Sequence, residues 1–285
     1  MNNSKKWEQL FFFALSTFFM LLTGATLLVL MYNIIELGIG AISWEFLTQP
    51  PKQNMTAGGI FPAIVGTFYV SSLTVLISVP LGMGAAIYLN EYAQQGLIIR
   101  IIRLSIRNLS GVPSIVYGLF GLGLFAATLK LGTSLITAAL TLAIMSLPWV
   151  ITASEEALKA VPDSIRIEGL ALGATKWQTI KNLVLPNAVP GMATGSILAL
   201  ARAAGETAPI ILTGAAFFLP HLPGSLSDRF MALPYHLYIL ATQHIQVDDV
   251  RPIAYGTALV LMAMVMLLNL AAIYWRHRAR KGAQI

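Results

Sequence analysis

Cysteine is absent from all 285 residues, which removes disulfide frameworks, thiolate metal sites and cysteine nucleophiles together. Charge is scarce as well, with Asp, Glu, Lys and Arg at only 11% of the chain. The four histidines, His221, His236, His244 and His277, show no ligand spacing. The acids fall mostly in loops, so neither a metal, a cofactor nor a catalytic constellation is expected. What fills the chain is apolar: 56% hydrophobic residues and a positive mean hydropathy. Composition alone therefore predicts an integral membrane protein, which its helical spans make all-α.

Leu10 to Ile35 runs 26 residues without a charge and follows Lys5 and Lys6. It exceeds the apolar core of a signal peptide and reads as an uncleaved first span. Further uncharged runs are Ile60 to Asn90, Asn108 to Leu129, Leu131 to Ser154, Asn182 to Ala201 and Pro252 to Trp275. Each is long enough to cross, giving six transmembrane helices in all. The run from Ile60 is over-long and holds Pro62 and Pro80, so part of it is expected along the interface. With both termini in the cytoplasm, thirteen Lys and Arg flank the spans inside, against Lys52, Lys130, Arg229 and Arg251 outside. That asymmetry fixes the expected orientation. It also accounts for most of the +6 net charge, so nucleic acid is not an expected partner. Two larger external loops, Glu36 to Gly59 and Gly214 to Arg251, either pack on their own spans or receive a soluble protein.

One polar interruption, Glu155 to Pro186, carries eight charges in thirty-two residues and must lie in water. Pro162 ends the preceding helix, and Asp163 with Ser164 can cap a new one bearing Ile165, Ile167, Leu170 and Ala171 as an apolar stripe. Gly173 suits a helix stop. Thr175 and Gln178 form a capping box that opens a second helix through Trp177, Ile180 and Leu183. A folded knuckle with apolar residues facing water calls for a partner.

A second anomaly is Arg202, about twenty residues beyond Asn182 and followed by another apolar run, Ala208 to Ala216. A charge at mid-span costs roughly 2.5–3.5 kcal/mol. Glu206, four residues on, is the local answer. The pair either pins helices together or faces a water-filled passage. There a guanidinium fork would meet an oxyanion while Glu206 moderates its grip. Thr207 can add a hydroxyl donor, and Pro113 with Ser114 marks a backbone break where protein rather than lipid lines a path. Gly191 and Gly195, four apart, allow close helix approach.

Gly173, then nine residues, Leu183, one residue and Leu185-Pro186, resemble the cytoplasmic "EAA" loop of permeases of the binding-protein-dependent ABC importers. This sequence departs from that motif in reading Ile167-Glu168-Gly169 where Glu-Ala-Ala is usual, and Leu183 where Ile is usual. The resemblance narrows through Gly59-Ile60-Phe61-Pro62-Ala63-Ile64-Val65-Gly66-Thr67, Tyr88-Leu89-Asn90-Glu91-Tyr92, Gly111-Val112-Pro113-Ser114-Ile115-Val116-Tyr117-Gly118 and Arg202-Ala203-Ala204-Gly205-Glu206-Thr207-Ala208-Pro209. Together these are similar to the permease subunits of the phosphate importer, over about residues 58 to 275.

The resemblance implies a MetI-like type I importer permease in the bacterial or archaeal plasma (inner) membrane. Its domains would be a tail, first span and external loop over 1–57, a permease domain over 58–275 with its coupling loop at 155–187, and a basic tail over 276–285. Glu168, Gly169, Leu170, Ala171, Gly173, Ala174, Thr175 and Trp177 would couple to the ATPase. Arg202, Glu206, Thr207, Ser114 and Pro113 would line the phosphate pathway. Implied partners are a sister permease (PstC), two ATPase subunits (PstB), a phosphate-binding protein (PstS) and membrane lipid. No Lys completes a Gly-x-x-x-x-Gly-Lys-Ser/Thr loop, so hydrolysis is expected on another chain. A permease for phosphonate, sulfate or molybdate is the near alternative; a stand-alone channel, a secondary transporter or a membrane enzyme are more distant ones.

Overall fold

A computed structural model describes residues 3–282. The chain opens with α1 (Asn3–Gly38), a short α2 (Trp44–Thr48) and a two-residue hairpin pairing Pro51 and Lys52 with Gly58 and Ala57. It then crosses as α3 (Phe61–Ile87), ending in a π-helical turn at Tyr88–Tyr92. Next come α4 (Leu97–Leu109) and α5 (Ser114–Gly121), the latter extended by a π-helical turn at Leu122–Thr128. The rest is α6 (Leu135–Lys159), α7 (Asp163–Ala171), α8 (Lys176–Thr179), α9 (Leu185–Gly205), α10 (Ala208–Thr213), α11 (Leu233–Thr242) and α12 (Val247–Gly282). Five helical stretches are long and apolar enough to span a bilayer, or six if the bent pair α4–α5 counts as one span.

Helix α6 is the central post. Ala138, Ala139, Leu142 and Val150 along it are fully buried, and it packs on both α3 and α9. Small residues set that spacing. A Cβ on Gly191 would come within 2.7 Å of the Ala157 Cβ, and one on Gly195 would collide with Ala153. Two residues four apart on α9 thus face two residues four apart on α6, the close-approach geometry used where lipid gives helices no hydrophobic drive to associate. Helix α1, by contrast, buries nothing over its apolar window and meets the bundle mainly through α12. Four threonine hydroxyls inside the spans are satisfied locally: Thr67, Thr74, Thr141 and Thr257 each donate to the carbonyl four residues back, at 2.7–2.8 Å. No water is needed for them at membrane depth.

The loop from Gly214 packs on its own spans. Phe230, Met231 and Leu233 are buried, and the Leu233 N–H donates to Thr67 Oγ1 at 2.8 Å. Carbonyls of Thr213, Asp228 and Leu226 accept from the N–H groups of Ser134, Leu135 and Ile136. These are donors that the first turn of α6 cannot satisfy itself. The two external loops also join: His244 Nε2 lies 2.8 Å from the Asn54 carbonyl, and Met55 is buried beside Ile239.

Three expectations change. The over-long run from Ile60 does not bend into the interface; Pro62 sits in the first turn, where its missing N–H is harmless, and α3 passes through Pro80 unbroken. The third uncharged run is not one straight helix, because α4 and α5 meet at 103° across the break at residues 110–113. Asp163 lies in the first turn of α7 behind a Pro162 cap, with no side-chain capping bond.

Substituting Gly195→Val should overpack the α6–α9 contact and lower stability by about 1–3 kcal/mol. Gly84→Val, where a Cβ meets nothing within 4 Å, should be near neutral. Thermal unfolding of the purified chain compares the two.

Candidate functional site: a polar knuckle and a charged helix break

The polar interruption folds as two limbs. Helix α7 ends in a Schellman turn: Gly173 adopts φ +82°, its N–H donates to Leu170 O at 3.0 Å, and Ala174 N–H donates to Gly169 O at 3.2 Å. Thr175 then starts α8 with both halves of a capping box, Gln178 N–H to Thr175 Oγ1 at 3.3 Å and Thr175 N–H to Gln178 Oε1 at 2.8 Å. The second limb does not stop at Pro186. It runs through a π-helical turn at Ile180–Val184 into α9, making one helical rod from Lys176 to Gly205.

Gly169 is buried against the second limb, where a Cβ would come within 2.7 Å of Thr179 and 2.8 Å of Leu183. It therefore brings the limbs together and does not stand on the outer face. Ile167, Leu170, Leu172 and Trp177 do face outward, Leu172 at 88% exposure. Glu168 and Ala171 are exposed beside them, and Ala174 is half-buried at the turn.

Arg166 fastens this knuckle to the bundle. Its Nη2 and Nε donate to the two oxygens of Glu91 at 2.7 and 3.2 Å, a bidentate fork. Nη2 and Nη1 also reach the carbonyls of Leu158 and Val161, at 2.9 and 2.8 Å. The Glu91 hydrogen bond raises the Arg166 pKa, so the guanidinium stays charged. Arg103 repeats the device, donating to Glu155 at 3.0 Å and to the Leu89 carbonyl at 2.8 Å. The Lys176 ammonium lies 5.0 Å from the centre of the Tyr92 ring. These anchors escaped the sequence reading. Their one signal is an acid, Glu91, placed directly at the end of an uncharged run.

The second group lies where α9 stops. Glu206 is extended at ψ 134°, outside the helix, so Arg202 and Glu206 are not stacked one turn apart as expected. They still meet, with Nε 3.1 Å from Oε1. The Nε–H is not aimed at that oxygen, which makes the contact charge-to-charge. Ser114 lies within reach of the Glu206 carboxylate. Helix α5 reaches the break because Gly118 has no side chain: a Cβ there would sit 2.9 Å from Pro209 Cα. Trp149, which the sequence reading missed inside an apolar span, places its ring centre 5.3 Å from the Arg202 guanidinium carbon. Pro113 caps α5 at the bend and is exposed; Thr207 precedes α10 and is half-buried. Arg202, Glu206 and Ser114 thus converge on one break, flanked in sequence by Thr207 and Pro113.

Removing one partner of a hydrogen bond to a charged group costs about 1.5–3 kcal/mol. Glu91→Gln should therefore speed amide hydrogen exchange over residues 163–175 by about tenfold to a hundredfold. Glu168→Gln, at an exposed acid without an ion pair among the described residues, should leave exchange there unchanged.

Residues 78–281 match the family described as "Binding-protein-dependent transport system inner membrane component". The probable ABC transporter permease protein YqgI of Bacillus subtilis is 34% identical over 261 residues, covering 87% of this chain and 88% of that one. The phosphate transport system permease protein PstA 1 of Mycobacterium tuberculosis is 35% identical over 242 residues, covering 85% and 77%. Among solved structures, a bacterial alginate ABC transporter in complex with its pentasaccharide-bound periplasmic protein aligns at TM-score 0.67 and 16% identity, covering 93% of this chain and 94% of that one. The MetNI methionine ABC transporter aligns at TM-score 0.61 and 16% identity, over 77% and 97%. A knuckle clamped beside a six-crossing helical bundle, with that match over most of its length, makes this chain a member of the binding-protein-dependent ABC importer permeases, with their MetI-like fold.

Proposed function

We propose that the chain is the permease subunit of an ATP-driven inorganic phosphate importer, forming half of its pathway. The observation that carries this reading is Arg202 held against Glu206 and Trp149 at a helix break inside a membrane bundle. A guanidinium matches phosphate oxygens with a planar fork of donors. A neighbouring carboxylate weakens its hold, so the anion can leave as well as enter. The relatives named phosphate permeases in Mycobacterium tuberculosis and Yersinia pestis, the latter 32% identical over 256 residues, support phosphate over other oxyanions.

The knuckle is the handle. Its outward Ile167, Leu170, Leu172 and Trp177 would sit in a groove on a cytoplasmic ATPase, with a sister permease presenting a second knuckle to a second ATPase. Hydrolysis then belongs to those chains, and a soluble binding protein delivers phosphate at the opposite face. Lys176 to Gly205 is one rod, and Trp177 to Arg202 spans about 38 Å at helical rise. A push at the knuckle is therefore felt directly at the charged break. Gly169, Gly173, Ala174 and Thr175 shape the handle; Glu168 and Ala171 border its gripped face. Thr207, Ser114 and Pro113 border the passage. The knuckle side faces the cytoplasm in this reading, together with both termini, as the basic flanks require.

The test is ATP-dependent uptake by the complete transporter in liposomes. Arg202→Gln should lower phosphate uptake at limiting substrate by about tenfold to a hundredfold, the loss expected for one charged hydrogen-bond donor, while ATPase binding persists. Unchanged uptake by Arg202→Gln, phosphate movement without an ATPase subunit, or faster uptake of sulfate, molybdate or phosphonate would overturn the reading.

A further inference from the structure

Helix α4 is the element that neither the knuckle nor the passage uses. Its thirteen residues, LIIRIIRLSIRNL, contain three arginines and no acid. Three faces follow from the helical period. Ile99 and Ile106 pack on the bundle beside Leu158 and Val184. Leu97, Ile98, Ile101, Leu104 and Leu109 are exposed on the lateral face. Arg100, Arg103 and Arg107 form a row along the other edge, lining a groove of about 540 Å³ with Gln95, Gly96 and Leu97.

The nearby acids are committed elsewhere. Glu155 holds Arg103, and Glu156 pairs with Lys159 at 3.3 Å. Among the described residues, Arg100 and Arg107 have no carboxylate within ion-pairing distance. Two positive charges therefore sit uncompensated next to an exposed apolar face. With α5 taken to cross the bilayer, the 103° bend between the two helices would lay α4 along its surface. The Arg103–Glu155 bond fixes it there, at the knuckle end of α6. A helix lying in the interface with apolar residues toward the acyl chains and arginines at headgroup depth fits one kind of occupant.

We infer that the Arg100–Arg107 edge of α4 binds the phosphate headgroups of anionic phospholipids in the leaflet on the knuckle side. The apolar edge sinks into the acyl boundary, and Arg100 and Arg107 supply the charge. Arg103 stays with Glu155 and tethers the lipid-bound helix to the bundle. The inference is independent of what the transporter carries.

The test titrates the purified full chain in detergent with phosphatidylglycerol or phosphatidylcholine of matched acyl chains and counts retained lipid by native mass spectrometry. Phosphatidylglycerol should be preferred. The double variant Arg100→Gln/Arg107→Gln should weaken it by about 25-fold, at about fivefold for each basic side chain near an anionic surface, leaving phosphatidylcholine unchanged. Arg100→Lys/Arg107→Lys should keep most of the preference, separating charge from misfolding. Inorganic phosphate added at the lipid's concentration should not displace the lipid. Equal retention of the two lipids, full phosphatidylglycerol binding by the Gln variant, or displacement by inorganic phosphate would overturn the inference. So would a Gln variant that keeps its lipid but loses the ATPase subunit, since the row would then be a protein contact.

Discussion

One guanidinium ties together three stretches of chain that would otherwise move separately. Arg166, on the first limb of the knuckle, grips Glu91 at the end of α3 and the carbonyls of Leu158 and Val161 at the end of α6. The Glu91 side chain is only 6% exposed. A largely buried carboxylate is costly unless a cation and further hydrogen bonds surround it, and here Asn90 supplies one more donor at 2.8 Å. The knuckle is thus part of the bundle's rigid frame. Without that clamp, the outward apolar residues would decorate a loose loop, and a push on them would be absorbed locally.

In the proposed mechanism, the same rigidity would let a water-exposed surface act on residues at membrane depth. The second limb, the π-helical turn and α9 form one rod, pressed on α6 through Gly191 and Gly195. At its far end the helix stops at Gly205, Glu206 turns away, and Arg202 is left between a carboxylate and an indole face. A lone arginine at that depth would be expensive. The carboxylate and the ring offset that expense without occupying the guanidinium fully, since its side chain remains 37% exposed. In the proposed phosphate passage, that incomplete satisfaction would let the anion leave as well as enter.

Local chemistry was legible in the sequence; partnership across the fold was not. The Gly173 stop, the Thr175–Gln178 box and the Gly191–Gly195 spacing are written within a few residues, and each forms as read. The Arg202–Glu206 pair was legible as proximity but not as geometry, because nothing local says that the helix ends between them. Glu91 and Arg166 are 75 residues apart, and Arg103 and Glu155 are 52 apart, so only the fold matches them. Helix α4 hid for another reason. Counting uncharged runs passes over an amphipathic helix with an arginine every three or four residues, so neither α4 nor its 103° bend into α5 was foreseen.

The most direct measurement uses the absence of native cysteine. A single Leu172→Cys substitution places a thiol on the most exposed apolar residue of the knuckle, and a membrane-impermeant maleimide reports its access. In inside-out vesicles, rapid labelling without ATPase subunits and strong protection once they bind would confirm that a motor protein grips this surface. Labelling that is unaffected by the ATPase subunits, or that occurs only in right-side-out vesicles, would contradict it.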